Sequence, residues 1–513
     1  MEDKMKKSES SHFDSYDIRK TIETEVLVIG AGNAGLMAAA AAAEKGAKTV
    51  VIEKEKTINL MRLTIGGINT NAQKRAGVEI NKYDLVEYLA GFAQHNVDES
   101  LLYQWVDNSA EAVNWLEDNV LKPNGAHLRS EPDAKVSNPI YKAFPTQNDA
   151  TIDDKTFASY GKWFQKKVEE LGVNLAFETS LIELIKSHGV VTGVIAKDLK
   201  RNEYLRINAS KGVILCTGGY SANKELLSKW NPLALKKNIF NDSPRNDGIG
   251  ITSAMSLGAI KDELPAVCVF DRGLAPVGTK TEDMYVQTDR YTDWLWLGSH
   301  PLLKVNLRGE RFANESTPYE FIVNAASKQP GYLYAMIWDG NFGEYAAQFH
   351  TLGCARVGFP GYMASAEKLV EDTEQYVDKG LVVKAETIEE LAEKMQLPVE
   401  NLKKTIKRNN ELAKKGVDED FGKEAYRLTP IDQAPYYGCT LGGRLLCTFD
   451  GLRINKRMEV LDEGYEPIKH LYAAGNDSGG FFCGSYPDRV PGTAASHAQT
   501  FGRLAGKQAA SNK

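Results

Sequence analysis

The chain has 513 residues, 42% of them hydrophobic and 25% charged, which is ordinary for a globular protein and, at this length, predicts two or three lobes. A formal net charge of −6 with both signs interspersed argues against nucleic acid as a main partner. No strongly apolar run reaches the roughly 18 residues that a membrane-spanning helix needs, so we expect no integral membrane segment.

The N-terminal residues, 1 to about 20, are polar and lack the apolar core of a secretory signal. We therefore expect a loose arm there and a cytoplasmic protein. The six cysteines lie far apart with no CxxC pair, and the eight histidines show no HExxH spacing. We expect reduced thiols and no metal site.

Residues 24–54 read TEVLVIGAGNAGLMAAAAAAEKGAKTVVIEK, a pattern typical of dinucleotide binding. The apolar run Val26–Ile29 predicts a buried strand, and GAGNAG follows it in GxGxxG spacing before an alanine-rich helix. The run Thr49–Ile52 predicts a second strand, which ends at Glu53. Because all five parts occur in order, the pattern is much more specific than a lone GxGxxG.

The residues of this glycine-rich turn suit a pyrophosphate. Gly30 allows the tight turn, Gly32 lets the backbone approach the phosphates, and Gly35 lets the helix pack closely on the strand. Asn33 and Ala34 open the helix, whose N-terminal amides and positive dipole end favour phosphate.

The acidic end of the second strand and a C-terminal segment extend the predicted cofactor site. Glu53 can accept hydrogen bonds from a ribose diol, and Lys54 beside it is a further candidate contact, but neither distinguishes FAD from NAD. Near the C-terminus, a strand predicted at Leu471–Ala473 stops at Gly475, and Pro491–Ala510 reads as a turn into a helix of small residues. A C-terminal segment that returns to the same sheet and closes on the cofactor suits tightly held FAD better than an exchanging nicotinamide cofactor.

Two further segments combine glycines with apolar runs. Gly212–Leu226 (GVILCTGGYSANKELL) is an apolar strand entering a double-glycine turn, and Asn246–Ala259 (NDGIGITSAMSLGA) is a glycine-rich entry to a helix. Each alone could be a structural turn.

In this order and spacing, the segments resemble the flavoprotein family of fumarate reductases, succinate dehydrogenase flavoprotein subunits and 3-ketosteroid dehydrogenases, the FAD-binding oxidoreductase 2 type. The resemblance covers residues 22–510. Its motifs, besides the glycine-rich turn, are IGGIN (Ile65–Asn69), TGG (Thr217–Gly219), DGIG (Asp247–Gly250), RGERFANES (Arg308–Ser316), AAGN (Ala473–Asn476) and TFGRLAG (Thr500–Gly506).

The resemblance implies an α/β fold with a Rossmann-like FAD-binding domain built from discontinuous segments, 21–255 and 436–513. An inserted α+β capping domain for the substrate is expected at 256–435. The positions that match the motifs of the family imply further FAD contacts at Gly66, Gly67, Thr217, Gly218, Asp247, Gly475, Asn476 and Gly492.

Family members with covalent flavin have a histidine six residues before the GG pair, where this chain has Leu60, so we expect non-covalent FAD. The chain has neither a haem-attachment motif nor a second GxGxxG for a nicotinamide. Electrons are therefore expected to come from, or go to, a partner outside this polypeptide.

Two helices are predicted in the second half of the cap. The first is Thr387–Met395, with Thr387 and Glu390 in capping-box spacing, and the second ends at Gly416. One face of the second helix is predicted to be formed by Leu402, Ile406, Asn409 and Ala413, flanked by lysines on a solvated face.

The motif GERFANESTPY contains the first candidate catalytic residue, Tyr319. Fumarate reductases have a proton-transferring arginine at this position, whereas the ketosteroid dehydrogenases have a tyrosine in a similar NExxPY setting. A tyrosine can act as an acid, or as a base when its pKa is lowered. The alternative is a packed aromatic ring with a hydrogen-bonded hydroxyl.

The segment GGFFCGSYPDRVPG contains two more candidates. Arg489 stands where fumarate reductases have the arginine that binds a substrate carboxylate, a task that suits the two-pronged guanidinium. Tyr486 stands about where the ketosteroid enzymes have a tyrosine that polarises the substrate carbonyl. The alternatives are a surface or phosphate contact for Arg489 and a ring packed in a turn for Tyr486.

Three positions depart from the fumarate reductases. Cys439 replaces their substrate-binding histidine, and Leu295 and Gly298 replace the residues of their proton relay. Fumarate itself is therefore a poor expectation.

The resemblance predicts an FAD enzyme acting on the CH–CH group of a medium-sized α,β-unsaturated carbonyl or carboxylate compound, with reduction favoured over desaturation. The alternatives are a 3-ketosteroid-type dehydrogenase and an electron-transfer flavoprotein without substrate chemistry of its own.

Overall fold

The glycine-rich turn lies between two strands of one sheet, in the arrangement predicted for it. A computed structural model describes residues 16–58, 61–130, 142–241, 243, 245–281, 293–349, 357 and 365–512. The position of Leu60, from which non-covalent FAD was predicted, lies outside these ranges. The predicted N-terminal arm is described only from residue 16, and its last residues already belong to the first strand, which starts at Ile18.

The first sheet has eight strands and holds the cofactor segments together. In chain order its strands are β1 (Ile18–Ile29), β2 (Thr49–Ile52), β6 (Asn174–Ala176), β7 (Thr179–Ser187), β8 (Val190–Asp198), β9 (Glu203–Leu215), β17 (Glu459–Leu461) and β18 (Pro467–Ala473). Their spatial order is β17-β18-β8-β9-β1-β2-β6, with β7 paired to β8. Strand β18 runs parallel to β9, with Leu471 opposite Val213, so the late C-terminal strand returns to this sheet as predicted.

Helices of small residues cover this sheet. They include α1 (Asn33–Glu44) and the C-terminal α13 (Thr493–Ala510), which cross in close contact. Gly502 requires this contact, because a Cβ at that position would lie 2.2 Å from the carbonyl oxygen of Ala34. The other helices of this half are α2 (Asn71–Arg75), α3 (Lys82–Phe92), α4 (Glu99–Leu116), α5 (Gly161–Glu170), α6 (Lys224–Trp230) and α7 (Ile249–Met255).

A second sheet of seven strands forms the centre of the cap. Its strands are β10 (Ile239–Phe240), β11 (Val267–Ala275), β12 (Asp293–Trp294), β13 (Leu303–Asn306), β14 (Tyr334–Asp339), β15 (Val382–Ala385) and β16 (Tyr436–Thr448). Because β16 pairs with β11, β14 and β15, this sheet continues to Thr448, beyond the expected domain boundary at 435. The domain boundaries themselves stay a prediction.

The cap helices are α8 (Tyr319–Ala326), α9 (Phe342–Gln348), α10 (Ala366–Asp378), α11 (Ile388–Lys394) and α12 (Val399–Lys415). The side chain of Thr387 accepts a hydrogen bond from the amide of Glu390, as its predicted capping role requires. Helix α12 ends at Gly416 in the left-handed conformation, with φ of 71°. The buried face of α12 includes Leu412, whereas the sequence predicted Ala413 at that place.

A small third sheet lies beside the C-terminal helix α13. It consists of β3 (Thr64–Gly66), β5 (Gln147–Thr151) and β4 (His127–Ser130), in that order. In the described part of the chain, no helix combines the length and the apolar character needed to cross a bilayer.

Candidate active site

The glycine-rich turn leaves room for a phosphate group. Gly30 has φ of +104° and approaches the backbone of Cys216 so closely that a Cβ would lie 2.3 Å from its carbonyl oxygen. At Gly32, in contrast, a Cβ would meet no described atom within 4 Å. Asn33 and Ala34 follow at the start of α1, so free amides at the helix end point into open space beside Gly32.

An open cavity with an empty volume of about 470 Å³ adjoins this turn, and five predicted contacts line it: Gly30, Glu53, Lys54, Thr217 and Asp247. The Glu53 carboxylate accepts hydrogen bonds from the amides of Ala31, at 2.8 Å, and Glu55, at 3.0 Å. Lys54 pairs with Asp247 at 2.7 Å, so the basic and acidic groups at the mouth are held together. The cavity suits the adenosine end of a dinucleotide.

Asp477, which sequence reasoning did not select, joins two of the predicted cofactor motifs. Its buried carboxylate accepts hydrogen bonds from the amide and hydroxyl of Thr217 and from the amide of Gly219. Burial raises the pKa of Asp477, while these hydrogen bonds lower it. The side chain of Asn476 donates to the carbonyl oxygen of Gly218, so the turns TGG and AAGN are fixed to each other. Gly475 lies against α1, where its Cβ would be 3.1 Å from that of Ala34.

The far end of the site lies where β3 meets the start of α13. The amide of Gly66 donates to the carbonyl oxygen of Gly492 at 2.8 Å, and the amide of Gly67 donates to that of Thr146 at 2.9 Å. Gly492 has φ of +80° and a Cβ there would collide with the backbone of Gly66, which explains the glycine at both positions. Helix α13 begins directly after Gly492 with no side chain capping its first amides.

A second cavity, with an empty volume of about 380 Å³, brings together two of the three candidate catalytic residues. It is lined by Ser299, Pro301, Glu315, Ser316, Thr317, Tyr319, Arg427, Asp488 and Arg489. Tyr319 begins helix α8 and Arg489 precedes helix α13. The backbone amide of Tyr319 donates to the carboxylate of Asp488 at 3.1 Å, which connects the two segments.

The positive charge of Arg489 is available to a ligand. Its guanidinium donates to the carbonyl oxygen of Ser316, and no ion pair joins it to an acidic side chain within the described residues. Arg427, on the same cavity, donates to the carbonyl oxygen of Phe349 at 3.1 Å and lies 3.8 Å from Glu424. Burial lowers the pKa of Arg427, and the nearby charge of Arg489 acts in the same direction.

The motif around Arg311 fixes one wall of the second cavity, to which its partner Glu315 belongs. The guanidinium of Arg311 binds Glu315 through two hydrogen bonds of 2.7 Å and binds Asp418 through two more. Burial alone would raise the pKa of Glu315, but Lys423 and Arg311 hold it below its ordinary value. The conspicuous residues of GERFANE therefore make a buried ion network that fixes the segment leading to Tyr319.

Tyr319 lies among aromatic rings and a buried cation. Its ring centroid is 5.3 Å from that of Phe270 and 4.9 Å from the guanidinium carbon of Arg272. Arg272 is fully buried and also lies 4.8 Å from the ring of Trp296. A cation over the face of a phenol ring favours a developing negative charge on its oxygen, as a proton donor requires.

Tyr486 is not among the described residues that line the second cavity. Its ring centroid lies 6.1 Å from those of Phe449 and Phe482, and the residue is partly exposed. A role for Tyr486 beside Tyr319 stays a prediction.

The sequence profile of the family described as FAD binding domain matches residues 25–489. The chain belongs to this family. A vinyl phenol reductase from Lactiplantibacillus plantarum is 30% identical to it, with 97% of each chain covered. A probable fumarate reductase from Shewanella frigidimarina is 29% identical over 99% of this chain and 79% of that protein. The crystal structure of a 3-ketosteroid-Δ4-(5α)-dehydrogenase from Rhodococcus jostii has a TM-score of 0.71 at 23% identity, covering 98% of this chain and 99% of that one, which shows a shared fold.

Membership of the FAD binding domain family confirms the predicted cofactor, and the chain is an FAD-dependent oxidoreductase. The residues present fit FAD, because the open space at Gly32 admits a pyrophosphate and Glu53 stands at the adenosine cavity. The individual FAD contacts named from the motifs stay predictions, as does the absence of a covalent link.

Sequence reasoning missed Asp488, Arg427 and Ser316, which line the second cavity together with Tyr319 and Arg489. Asp488 had a usable signal, since it directly precedes the candidate binding residue Arg489. The other two are recognisable only from the folded chain.

Proposed function

We propose that this enzyme reduces the carbon–carbon double bond of a small unsaturated compound whose polar end has an oxygen function. The observation that supports this most directly is the cavity shared by Tyr319 and Arg489, the first a proton donor and the second a cation with no ion-pair partner among the described residues. When bound in its reduced form, FAD supplies a hydride equivalent to one carbon of the double bond. The chain must supply the proton and hold the substrate.

Tyr319 is the proposed proton donor to the second carbon. Its ring is buried and fixed between Phe270 and Arg272, so the hydroxyl has a defined position. The amide of Tyr319 is held by Asp488, which prevents the start of helix α8 from shifting. A positioned acid of this kind contributes rate by protonating the carbon as the hydride adds.

Arg489 is the proposed anchor for the substrate oxygen. A guanidinium can donate two parallel hydrogen bonds, and burial in the cavity makes each of them stronger than in water. Because one donor of Arg489 is already bound to Ser316, the position of its remaining donors is fixed before substrate arrives.

The names of the two relatives above support reduction, since one is a vinyl phenol reductase and the other a probable fumarate reductase. Desaturation of a ketosteroid-like compound is the second candidate, because Tyr319 stands at the position of the tyrosine in the ketosteroid dehydrogenases.

We further infer that an external carrier exchanges electrons with the bound FAD. A cytoplasmic location is supported by buried free thiols, including Cys216 and Cys439, which suit a reducing compartment.

The direction can be read from half-reactions of the purified protein. The FAD-loaded enzyme, reduced without oxygen, is mixed with enones, enoates and aryl alkenes, and the oxidised enzyme is mixed with their saturated counterparts. We expect the unsaturated set to restore the absorbance of oxidised flavin. Bleaching by the saturated set alone would establish a dehydrogenase, and no response to either would leave an electron carrier.

Replacing Arg489 by lysine keeps the charge but removes the paired donors. We expect KM for the best substrate to rise by about 10- to 150-fold, the equivalent of the roughly 1.5–3 kcal/mol of a hydrogen bond to a charged group. Steady-state kinetics measures this, with Arg408→Lys on the exposed surface as the matched control. An unchanged KM in Arg489→Lys would rule out two-pronged anchoring.

A further inference from the structure

Two oxygen atoms on the wall of the second cavity have no hydrogen-bond partner in the described part of the chain. They are Oδ1 of Asp488 and Oγ of Ser316, whose residues are 8% and 3% exposed. The other carboxylate oxygen of Asp488 is occupied by the amide of Tyr319. A buried acceptor without a donor is costly, so these atoms indicate the chemistry of the group that the cavity is built to bind.

Oδ1 of Asp488, which has no partner among the described residues, shares the cavity wall with the donors of Arg489. A ligand group that satisfies both must donate one hydrogen bond and accept another. A carboxylate cannot donate, and it would bring a second negative charge beside Asp488, with a repulsion that is strong in a buried site. A hydroxyl group meets both requirements.

We propose, as a refinement of the proposed function, that the oxygen function of the substrate is a hydroxyl group conjugated to the double bond through an aromatic ring, and that Asp488 is the base that takes its proton. Tyr319 contributes an aromatic ring to the cavity wall, and further rings lie behind it. Phe270 adjoins both Tyr319 and Trp294, with ring centroids 5.3 Å and 5.4 Å away.

This assignment explains how an electron-rich alkene could be reduced. Tyr319 protonates the terminal carbon of the double bond while Asp488 removes the hydroxyl proton, and the ring becomes a quinone methide with an electrophilic benzylic carbon. The benzylic carbon accepts the hydride, and the ring electrons return to the oxygen as a phenolate. Asp488 gives its proton back to that oxygen, and the Tyr319 oxygen regains one from water. The sum is one hydride and one proton added across the double bond.

The charges around Asp488 suit a base that works near neutral pH. Burial, helped by the charge of Asp271, raises the pKa of Asp488 to about 6, against the opposing effects of Arg489, the Tyr319 amide and Arg272. The other charged groups on the cavity are Arg427, near Glu424, and Glu315, bound by Arg311. The carboxylate is therefore ionised above pH 6, and the reduction of a hydroxyaryl alkene should be lost as the pH falls through about 6.

Binding can be tested without turnover. The oxidised, FAD-loaded enzyme is titrated at pH 7.5 with 4-ethylphenol, 4-ethylanisole and 3-phenylpropionate, and flavin difference absorbance reports the Kd of each. We expect 4-ethylphenol to bind about 10- to 150-fold more tightly than the other two, because its hydroxyl proton alone satisfies a charged acceptor.

The Asp488→Asn variant removes the charged acceptor while keeping the size and shape of the side chain. The asparagine carbonyl can still accept from the amide of Tyr319, which leaves an NH₂ group toward the cavity. We expect the preference for 4-ethylphenol over 4-ethylanisole to fall to a few-fold and 3-phenylpropionate to bind more tightly than in wild type. Reoxidation of the reduced variant by 4-vinylphenol should slow by about 100- to 10,000-fold and lose its dependence on pH near 6.

Glu320→Gln is the matched control. Glu320 is a buried acid next to Tyr319 that does not line the cavity among the described residues, and burial raises its pKa to about 8, so glutamine resembles its neutral form. We expect the ligand preferences of this variant to match wild type.

Two binding and variant results would each overturn the assignment, and a third comes from reoxidation. The first two are tighter binding of 3-phenylpropionate than of 4-ethylphenol by wild type, and an Asp488→Asn variant with wild-type preference and pH profile. The proposed function fails separately, if the reduced wild type is reoxidised by no alkene. Reoxidation by enoates with no advantage for 4-vinylphenol would leave the reductase in place and remove the hydroxyl site.

Discussion

A Gly32→Val variant should fold and should purify without FAD. The backbone at Gly32 has φ of −86° and ψ of −167°, an extended conformation that valine adopts readily, and no described atom lies within 4 Å of its new Cβ. The side chain would occupy the space through which the pyrophosphate reaches the amides of α1. We expect the flavin content, measured from absorbance after gel filtration, to fall from near one per chain to near zero.

Thermal unfolding gives a second readout of the same change. Wild-type protein stripped of FAD should gain about 4 kcal/mol of stability when FAD is restored at a thousand times its Kd, whereas Gly32→Val should gain almost none. Without added FAD, the Tm of Gly32→Val should match that of wild type stripped of FAD. Gly35→Ala is the contrasting change, because its Cβ would lie 1.8 Å from the carbonyl oxygen of Gly30 and should destabilise the fold itself.

The outcome also bears on the covalent link. Heat or acid should release FAD from wild type, in agreement with a leucine at position 60. Full flavin content in Gly32→Val, or flavin that stays with the denatured chain, would show that the cofactor is held in another way.

The cofactor half of the molecule was predictable because its signals are local. The turn needs glycine at Gly30 because of its backbone shape and at Gly32 to leave room for the phosphates, and the strands on either side are apolar because both of their faces are buried. The C-terminal return was predictable from Leu471–Ala473 for the same reason. Asp477 was missed because its role is to join two turns 260 residues apart, which no local pattern reveals.

The substrate half depends on long-range packing. Tyr319 and Arg489 were found only because they stand in motifs of a family, whereas Arg427 reaches the same cavity from a segment of the cap that contains no motif. The strand β16 extends the second sheet beyond the expected boundary at 435, and its apolar pattern suits either sheet equally well. Which sheet a buried strand joins is decided by its partners.

Tyr319→Phe should slow the chemical step by about 100- to 10,000-fold, the range expected when a general acid is lost, which is roughly 3–5 kcal/mol of barrier. The variant keeps the ring, so the packing against Phe270 and the contact with Arg272 should remain. Flavin content and Tm should therefore change little. The Kd of a saturated ligand should also stay close to wild type, because only the hydroxyl is removed.

Rapid mixing of the reduced enzyme with substrate isolates this step from the electron donor. Tyr437→Phe is the matched control, since it removes a hydroxyl that binds Glu374 in the cap and should reoxidise like wild type.

If Tyr486 also polarises the substrate, the double variant that lacks both Tyr319 and Tyr486 hydroxyls should lose less rate than the product of the two single losses, because both residues would act in one transition state. Reoxidation of Tyr319→Phe within a few-fold of wild type would remove Tyr319 from the mechanism. The proton would then have to come from water or from another acid on the cavity, and Asp488 would be the first to test.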